Sequence, residues 1–236
     1  MRAGATAPAM TPERHVAIVL AAGGSIRLGS TPKQMLMHRG ETLIHHVVRL
    51  VRETFPARVL VVTGAYADAV SYALDGVACE IVLNRQWPQG VASSLARAGQ
   101  ALGHHYGPVL LLGCDQPALR LDHLRQLVDL AAGNPRGYAA VEFDSGRLGM
   151  PAVVPGGVLR YIERLRGDHG LANRLNALPA TDVARLPAPE LEFDIDDAYD
   201  LRQAINRGLI DDDEIEFGVG ISLMQALPPL ETRQRA

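Results

Sequence analysis

Between positions 23 and 33 the chain places Gly23, Gly24, Ser25, Arg27, Gly29 and Lys33, residue types suited to holding a polyphosphate. Glycine lets a backbone turn tightly and bring its N–H groups up to an anion, while Arg27 and Lys33 add positive charge there. The apolar run Val16 to Ala21 leads into this stretch and reads as a buried strand stopped at Gly23-Gly24. Strand, glycine turn and two cations describe a loop that wraps a nucleotide's phosphates, with Ala21, Ala22, Gly23, Gly24 and Ser25 as its contact residues. A lysine in such a loop is expected at the surface, where folding does not depend on it.

Two commoner phosphate loops do not fit. A dinucleotide fingerprint needs G-x-G-x-x-G opening a helix. Here the glycines fall at 23, 24 and 29, and Pro32 interrupts any helix starting directly after Gly29. A P-loop needs lysine directly after its second glycine, and Ser30 stands there.

Acids supply a second kind of chemistry. The apolar strand Val109–Leu112 runs into Gly113-Cys114-Asp115-Gln116-Pro117, so Asp115 sits at a sheet mouth, where a carboxylate suits Mg²⁺. It could instead cap the helix expected near Leu121. In Phe193-Asp194-Ile195-Asp196-Asp197, Asp194 and Asp196 would share a face if the segment is a strand end. Asp196 could also be an N-cap, with Asp197 and Asp200 favouring the helix dipole, and capping does not preclude ligation. Gly90, Ser93 and Ser94 at a helix opening offer backbone and hydroxyl donors to a nucleotide. The adjacent pairs His45-His46 and His104-His105 lack metal-ligand spacing and read as surface or structural.

These motifs resemble, in order over residues 15–205, those of small nucleotidyltransferases, the group containing the molybdenum cofactor cytidylyltransferases. The first stretch resembles L-A-A-G-x-S-x-R-[ML]-G-x-x-K, and Asn84 to Leu95 resembles N-x-x-W-x-x-G-[ML]-x-x-S-L. The Asp115 segment is similar to [GD]-D-Q-P, with Cys114 inserted, and Asp194 to Leu201 to D-[IV]-D-T-P-E-D-L. Gly167-Asp168-His169-Gly170 resembles the family's G-D-x-G turn. The resemblance implies that Asp115 and Asp196 hold Mg²⁺ and that Arg27 and Lys33 are catalytic, balancing charge on the phosphates. It also implies a phosphorylated acceptor such as molybdopterin, and a possible molybdoenzyme or chaperone partner. Leu20-Ala21-Ala22-Gly23 looks like the CTP-using branch; related guanylyltransferases read L-A-G-G. Met150 replaces the histidine that precedes proline near the pterin. Pro32-Lys33-Gln34 also resembles the P-K-Q of methylerythritol phosphate cytidylyltransferases. A sugar-phosphate or GTP-using transferase, or a non-enzymatic nucleotide-binding protein, are the alternatives.

The elements that must position these residues follow from periodicity. Strands are expected at Arg58–Thr63, Cys79–Leu83, Pro108–Leu112 and Tyr138–Phe143, alternating with helices over Thr42–Phe55, Ala65–Ala73, Gly90–Leu102 and Leu121–Ala132. Strands too apolar for a wet face imply α/β architecture: a Rossmann-like, mostly parallel sheet with helices on both faces. Met150–Val154, flanked by prolines, is expected at a sheet edge. Helices are expected at Gly157–Arg166, Leu171–Leu178 and Asp196–Arg207, and Ile221–Leu227 could dock as a short helix.

The 236 residues divide into a flexible leader (1–14), a transferase domain (15–207) and an acidic tail (208–236). A formal net charge of −3 gives no basis for nucleic-acid binding. Two cysteines make no disulfide framework or thiolate zinc site. No run reaches the roughly 18 apolar residues of a membrane span. No apolar signal segment opens the chain, so a cytoplasmic location is expected.

Overall fold

The computed structural model describes residues 14–29, 31–105, 107–160, 170–212, 214–215 and 221–222. Strand β1 (Val16–Ala21) leads through a loop with single 3₁₀ turns at Ile26–Leu28 and Lys33–Met35 into a hairpin, β2 (Met37–His38) and β3 (Glu41–Thr42). There follow α1 (Leu43–Arg52), β4 (Arg58–Thr63), α2 (Ala67–Ala73), β5 (Glu80–Leu83), α3 (Val91–Leu102), β6 (Pro108–Gly113) and α4 (Leu121–Gly133). Then come β7 (Ala139–Glu142), β8 (Leu148–Pro155), α5 (Gly170–Asn176), β9 (Ala184–Pro187) and α6 (Ala198–Asn206). A two-residue pair, β10 (Glu214–Ile215) and β11 (Ile221–Ser222), stands where the sequence suggests a docked helix at Ile221–Leu227; the rest of that stretch lies outside the described residues.

Seven strands form one sheet in the order β5-β4-β1-β6-β8-β7-β9. Continuous apolar strands are what such a sheet requires, because both faces are covered. Along β1, Ala17, Val19 and Ala21 pack with α1, α2 and α4, while Val16 and Ile18 pack with α3 and α5. β4 and β6 split in the same way: Val59, Val61, Leu110 and Leu112 face one core, Leu60, Val62, Val109 and Leu111 the other. The parallel register aligns Ala21 with Thr63, Leu20 with Gly113 and Thr63 with Leu83, so four carboxyl ends finish level. The glycine loop after β1, the Asn84–Ser94 stretch after β5 and the Asp115 segment after β6 issue from that rim, the usual binding edge of an open α/β sheet.

Strand β8 departs from expectation. It lies inside the sheet, antiparallel to both β6 and β7, not at an edge. Proline normally excludes a strand from a sheet interior because it cannot donate to the ladder. Here the register shifts between Ala140 and Val141, and the β6 pairing stops at Ala152, so Met150 and Pro151 face no ladder partner on either side. The helix expected at Gly157–Arg166 is a 3₁₀ segment over Gly156–Arg160, and 161–169 lie outside the described residues, as does most of the Gly167–Gly170 turn. Strand β9, which the sequence does not announce, pairs in parallel with β7.

Leu111 is fully buried at the centre of the second core. Leu111→Ala should lower the unfolding free energy by about 2–5 kcal/mol, read by urea denaturation. A loss under about 0.5 kcal/mol, typical of surface changes, would contradict a packed second face.

Candidate active site

The phosphate-type loop leaves β1 at Ala22 and is held from three sides. The fully buried Gln34 donates from Nε2 to the carbonyls of Ala21 (3.0 Å) and Gly23 (2.9 Å). The Tyr66 hydroxyl donates to the Gly24 carbonyl at 3.1 Å. Ser25 adopts the left-handed region (φ 48°), and its Oγ accepts from the Lys33 backbone N–H at 3.0 Å. Close approach explains two of the glycines. A Cβ on Gly24 would lie 2.7 Å from the Trp87 ring, and one on Gly64 would lie 2.5 Å from the Ala22 carbonyl oxygen. Trp87 therefore backs the loop.

The acids converge from two segments. Asp115 follows β6, and its carbonyl accepts from the Ile195 N–H at 2.9 Å, tying the β6 loop to the stretch carrying Asp194 and Asp196. Ile195 is fully buried with Leu28, Leu36, Leu43 and Leu201. That anchor fixes the acids flanking it, and carboxylate oxygens of Asp115, Asp194 and Asp196 all lie within 4.8 Å of one another. Residues 193–197 form no strand. Nor does Asp196 cap the helix. Asp197 does so, accepting from the Tyr199 and Asp200 N–H groups, while Asp200 accepts from the Asp197 N–H. Asp115 caps nothing either, since Arg120 holds the N-cap position of α4.

Two cations meet these acids. Lys33 Nζ lies 2.7 Å from Asp115 Oδ2 and 3.3 Å from Asp196 Oδ1, and Arg27 Nη2 lies 2.9 Å from Asp196 Oδ2. The expectation of a surface lysine is overturned: the Lys33 side chain is only 14% exposed. Burial pulls its pKa down, but the carboxylates of Asp115 and Asp196 outweigh that and hold the ammonium well above the usual lysine range. Asp194 shifts the other way. Desolvation and the neighbouring charges of Asp115 and Asp196 push its carboxyl up to about 6. The residue as a whole is exposed, so solvent screens much of this crowding. Desolvation likewise raises the buried Cys114 thiol to about 12, leaving it protonated and no nucleophile.

One cavity of about 450 Å³ collects most of the expected residues. Its walls include Ala21, Ala22, Gly23, Gly24, Ser25, Arg27, Lys33, Gly90, Ser94, Asp115 and Asp196, together with Trp87 and Met150. Ser93 is not among them. Its hydroxyl sits 2.8 Å from the Gly90 carbonyl and 2.9 Å from that of Gln86, and accepts from Asn84, which also donates to Ser94. Ser93 thus secures the opening of α3. Sequence reasoning gives no positioning role to Gln34, Tyr66 or Asn84. Gln34 stands out in the sequence only within Pro32-Lys33-Gln34. Both rings of the His45-His46 pair bond to Glu41.

Hard carboxylate oxygens in this number and spacing suit a divalent metal. Without metal, one acid too many is present. The Asp194 carboxyl, pushed up to about 6, favours the folded state below its unfolded pKa and loses that contribution as pH rises through 6. Asp194→Asn should therefore raise the thermal midpoint in chelator at pH 7.5, and the gain should shrink toward pH 4. Equal gains at both pH values would refute charge crowding.

Comparisons with known proteins bear on the chain's family and fold. The model of the MobA-like NTP transferase domain matches residues 17–182, which include the loop, Lys33 and Asp115 but stop before Asp194 and Asp196. Nicotine blue oxidoreductase of Paenarthrobacter nicotinovorans is 34% identical over 158 residues, covering 65% of this chain and 77% of that protein. Bifunctional protein GlmU of Anaeromyxobacter dehalogenans (strain 2CP-1) is 35% identical over 156 residues, covering 64% of this chain but only 30% of that longer protein. Among solved structures, Rv0371c from Mycobacterium tuberculosis H37Rv superposes with a TM-score of 0.71 at 26% identity, covering 84% of this chain and 100% of that one. The same protein in complex with manganese gives a TM-score of 0.66 at 24% identity, covering 82% of this chain and 98% of that one, a likeness of fold. This chain belongs to the MobA-like NTP transferase family and is a nucleotidyltransferase.

Proposed function

We propose that the chain transfers CMP from CTP to a phosphorylated acceptor of the molybdopterin type, with Mg²⁺ as its metal. The observation that carries the reading is the meeting, in one cavity, of a glycine loop, two cations and carboxylates from two separate segments. Transfer of this kind asks little covalent chemistry of a protein; positioning and charge balance dominate. An oxygen of the acceptor's phosphate forms a bond to the α-phosphorus in line as the bond to the bridging oxygen breaks, and pyrophosphate leaves with that electron pair. Backbone groups of Ala22 to Gly24 hold the triphosphate. Arg27 and Lys33 balance charge on the β and γ phosphates and at the α-phosphorus. Asp115 and Asp196, with Asp194 beside them, would hold the metal, which supplies Lewis acidity at the phosphate oxygens. Gly90 and Ser94 lie beside the nucleotide, while Ser93 acts through the α3 opening.

CTP is favoured by Ala22 in Leu20-Ala21-Ala22-Gly23, the sequence feature that resembles the cytidylyltransferase branch. The molybdopterin-type acceptor rests on the same resemblance, and Met150, on the cavity wall, is the residue that departs from it. A molybdoenzyme or its chaperone is the partner this reading implies. No helix among the described residues is long and apolar enough to cross a membrane, and a cytoplasmic location accords with a small-molecule substrate.

Two measurements test the reading. With Mg²⁺ present, CTP should raise the thermal midpoint more than GTP, ATP or UTP, because the shift given by a ligand that binds only the folded state grows with its affinity. An equal or larger shift with GTP would defeat the CTP assignment. In pyrophosphate-release assays with CTP and molybdopterin cofactor, Asp115→Asn should lower kcat about a hundredfold or more while far-ultraviolet circular dichroism stays unchanged. Near-normal turnover in that variant would remove Asp115 from the site.

A further inference from the structure

A second cavity, of about 660 Å³, shares no lining residue with the first. Its walls come from the β2–β3 hairpin, α1, the end of α6 and two segments next to the acids: Pro117 to Leu121, just after Asp115, and Pro189, Glu190 and Phe193, just before Asp194. Arg39, Arg49, Arg120 and Arg207 line it against one carboxylate, Glu190, in a chain whose formal net charge is −3.

Two of those arginines are committed. Arg49 pairs with Glu41 at 2.8 Å and with Glu53 at 3.0 Å, and Arg120 pairs with Glu190 at 2.6 Å. Arg39 and Arg207 have no ion pair among the described residues; the Arg207 guanidinium lies 4.5 Å from the centre of the Phe193 ring. A second, independent observation points to the same cavity. His46, which lines it, is 7% exposed, and its Nε2 is buried without a hydrogen-bond partner. Its Nδ1 lies 2.9 Å from Glu41 Oε1, closer than the 3.2 Å to Arg49 Nη2. A carboxylate only accepts, so the shorter contact puts the proton on Nδ1 and leaves the Nε2 lone pair open to a donor such as the hydroxyl of an esterified ligand. Unpaired buried polar atoms are uncommon in folded proteins and invite a partner.

We propose that this cavity is a second phosphate site, taking a diphosphate group, free or esterified. The guanidinium groups of Arg39 and Arg207 hold its oxygens, since the planar fork of donors matches phosphate geometry. Leu50, Leu119 and Leu209 form an apolar wall for the body of an esterified ligand. The site is independent of the nucleotide chemistry assigned to the first cavity and adds an effector position beside both acid-bearing segments.

Equilibrium dialysis of the full chain in chelator and 150 mM KCl, with radiolabelled inorganic pyrophosphate and with ADP as separate probes, tests it. Two equivalents should bind per chain. The double variant Arg39→Asn, Arg207→Leu should weaken one of them about tenfold or more, the scale of losing charge-assisted hydrogen bonds. Asparagine suits the left-handed backbone of residue 39 (φ 52°), and leucine keeps contact with Phe193, so an unchanged thermal midpoint checks folding. Arg27→Ala should weaken the other equivalent only. Similar affinity for both probes identifies a free diphosphate; tighter ADP binding identifies an esterified one. If no bound equivalent weakens in the double variant, the proposal is overturned.

Discussion

Negative charge crowded into a small volume is the constraint around which the rest of this molecule is arranged. Three carboxylates whose oxygens lie within 4.8 Å of one another repel unless a cation stands among them. Lys33 takes that place between Asp115 and Asp196, and Arg27 flanks Asp196. Both cations belong to the loop after β1, while the acids arrive from β6 and from the segment before α6. The loop has to fold back across the rim of the sheet for the two to meet. Its two short 3₁₀ turns, the Gln34 amide and the Tyr66 hydroxyl maintain that path.

Electrostatics alone would not fix the positions, and a small apolar cluster completes the arrangement. Leu28 and Leu36 from the loop, Leu43 at the start of α1, Ile195 between two acids, and Leu201 and Ala204 of α6 share one buried core. Cations and carboxylates are thus carried on opposite sides of the same hydrophobic contact. Burial of these side chains contributes stability that charged groups on a half-open rim cannot provide. The level strand ends supply the platform, and the capping box at Asp197 and Asp200 starts α6 without using either neighbouring acid of the cluster.

Much of this is legible in the sequence, and the failures have physical causes. Strands buried on both faces are unbroken apolar runs, so β1 and β4 can be read with the bounds observed, and β6 to within one residue. Gly23, Gly24, Arg27 and Lys33 of the loop are picked out in sequence by residue type and spacing, and they line one cavity. Strand β8 is misplaced by its sequence because proline argues for an edge, whereas here a register shift lets Pro151 sit inside the sheet. Strand β9 escapes because only Leu186 of its four residues is buried, which leaves no periodic signal. The burial of Lys33 depends on acids 82 and 163 positions away, and nothing local records it. The sequence suggests Asp196 as the cap with Asp197 in the first turn, and the backbone path moves the cap to Asp197. Ser93 has the composition of a ligand contact, yet its hydroxyl faces its own loop.

Trp87 backs Gly24 so tightly that a single added methyl would collide with its ring. It is also the only tryptophan in the chain. The indole emission of this protein therefore originates from one point, on the wall of the first cavity. Folding, loop rearrangement and the arrival of a ligand in that cavity would each alter the polarity and quenching around that ring. The molecule carries a built-in optical gauge of its own loop, readable at trace concentration without any attached label.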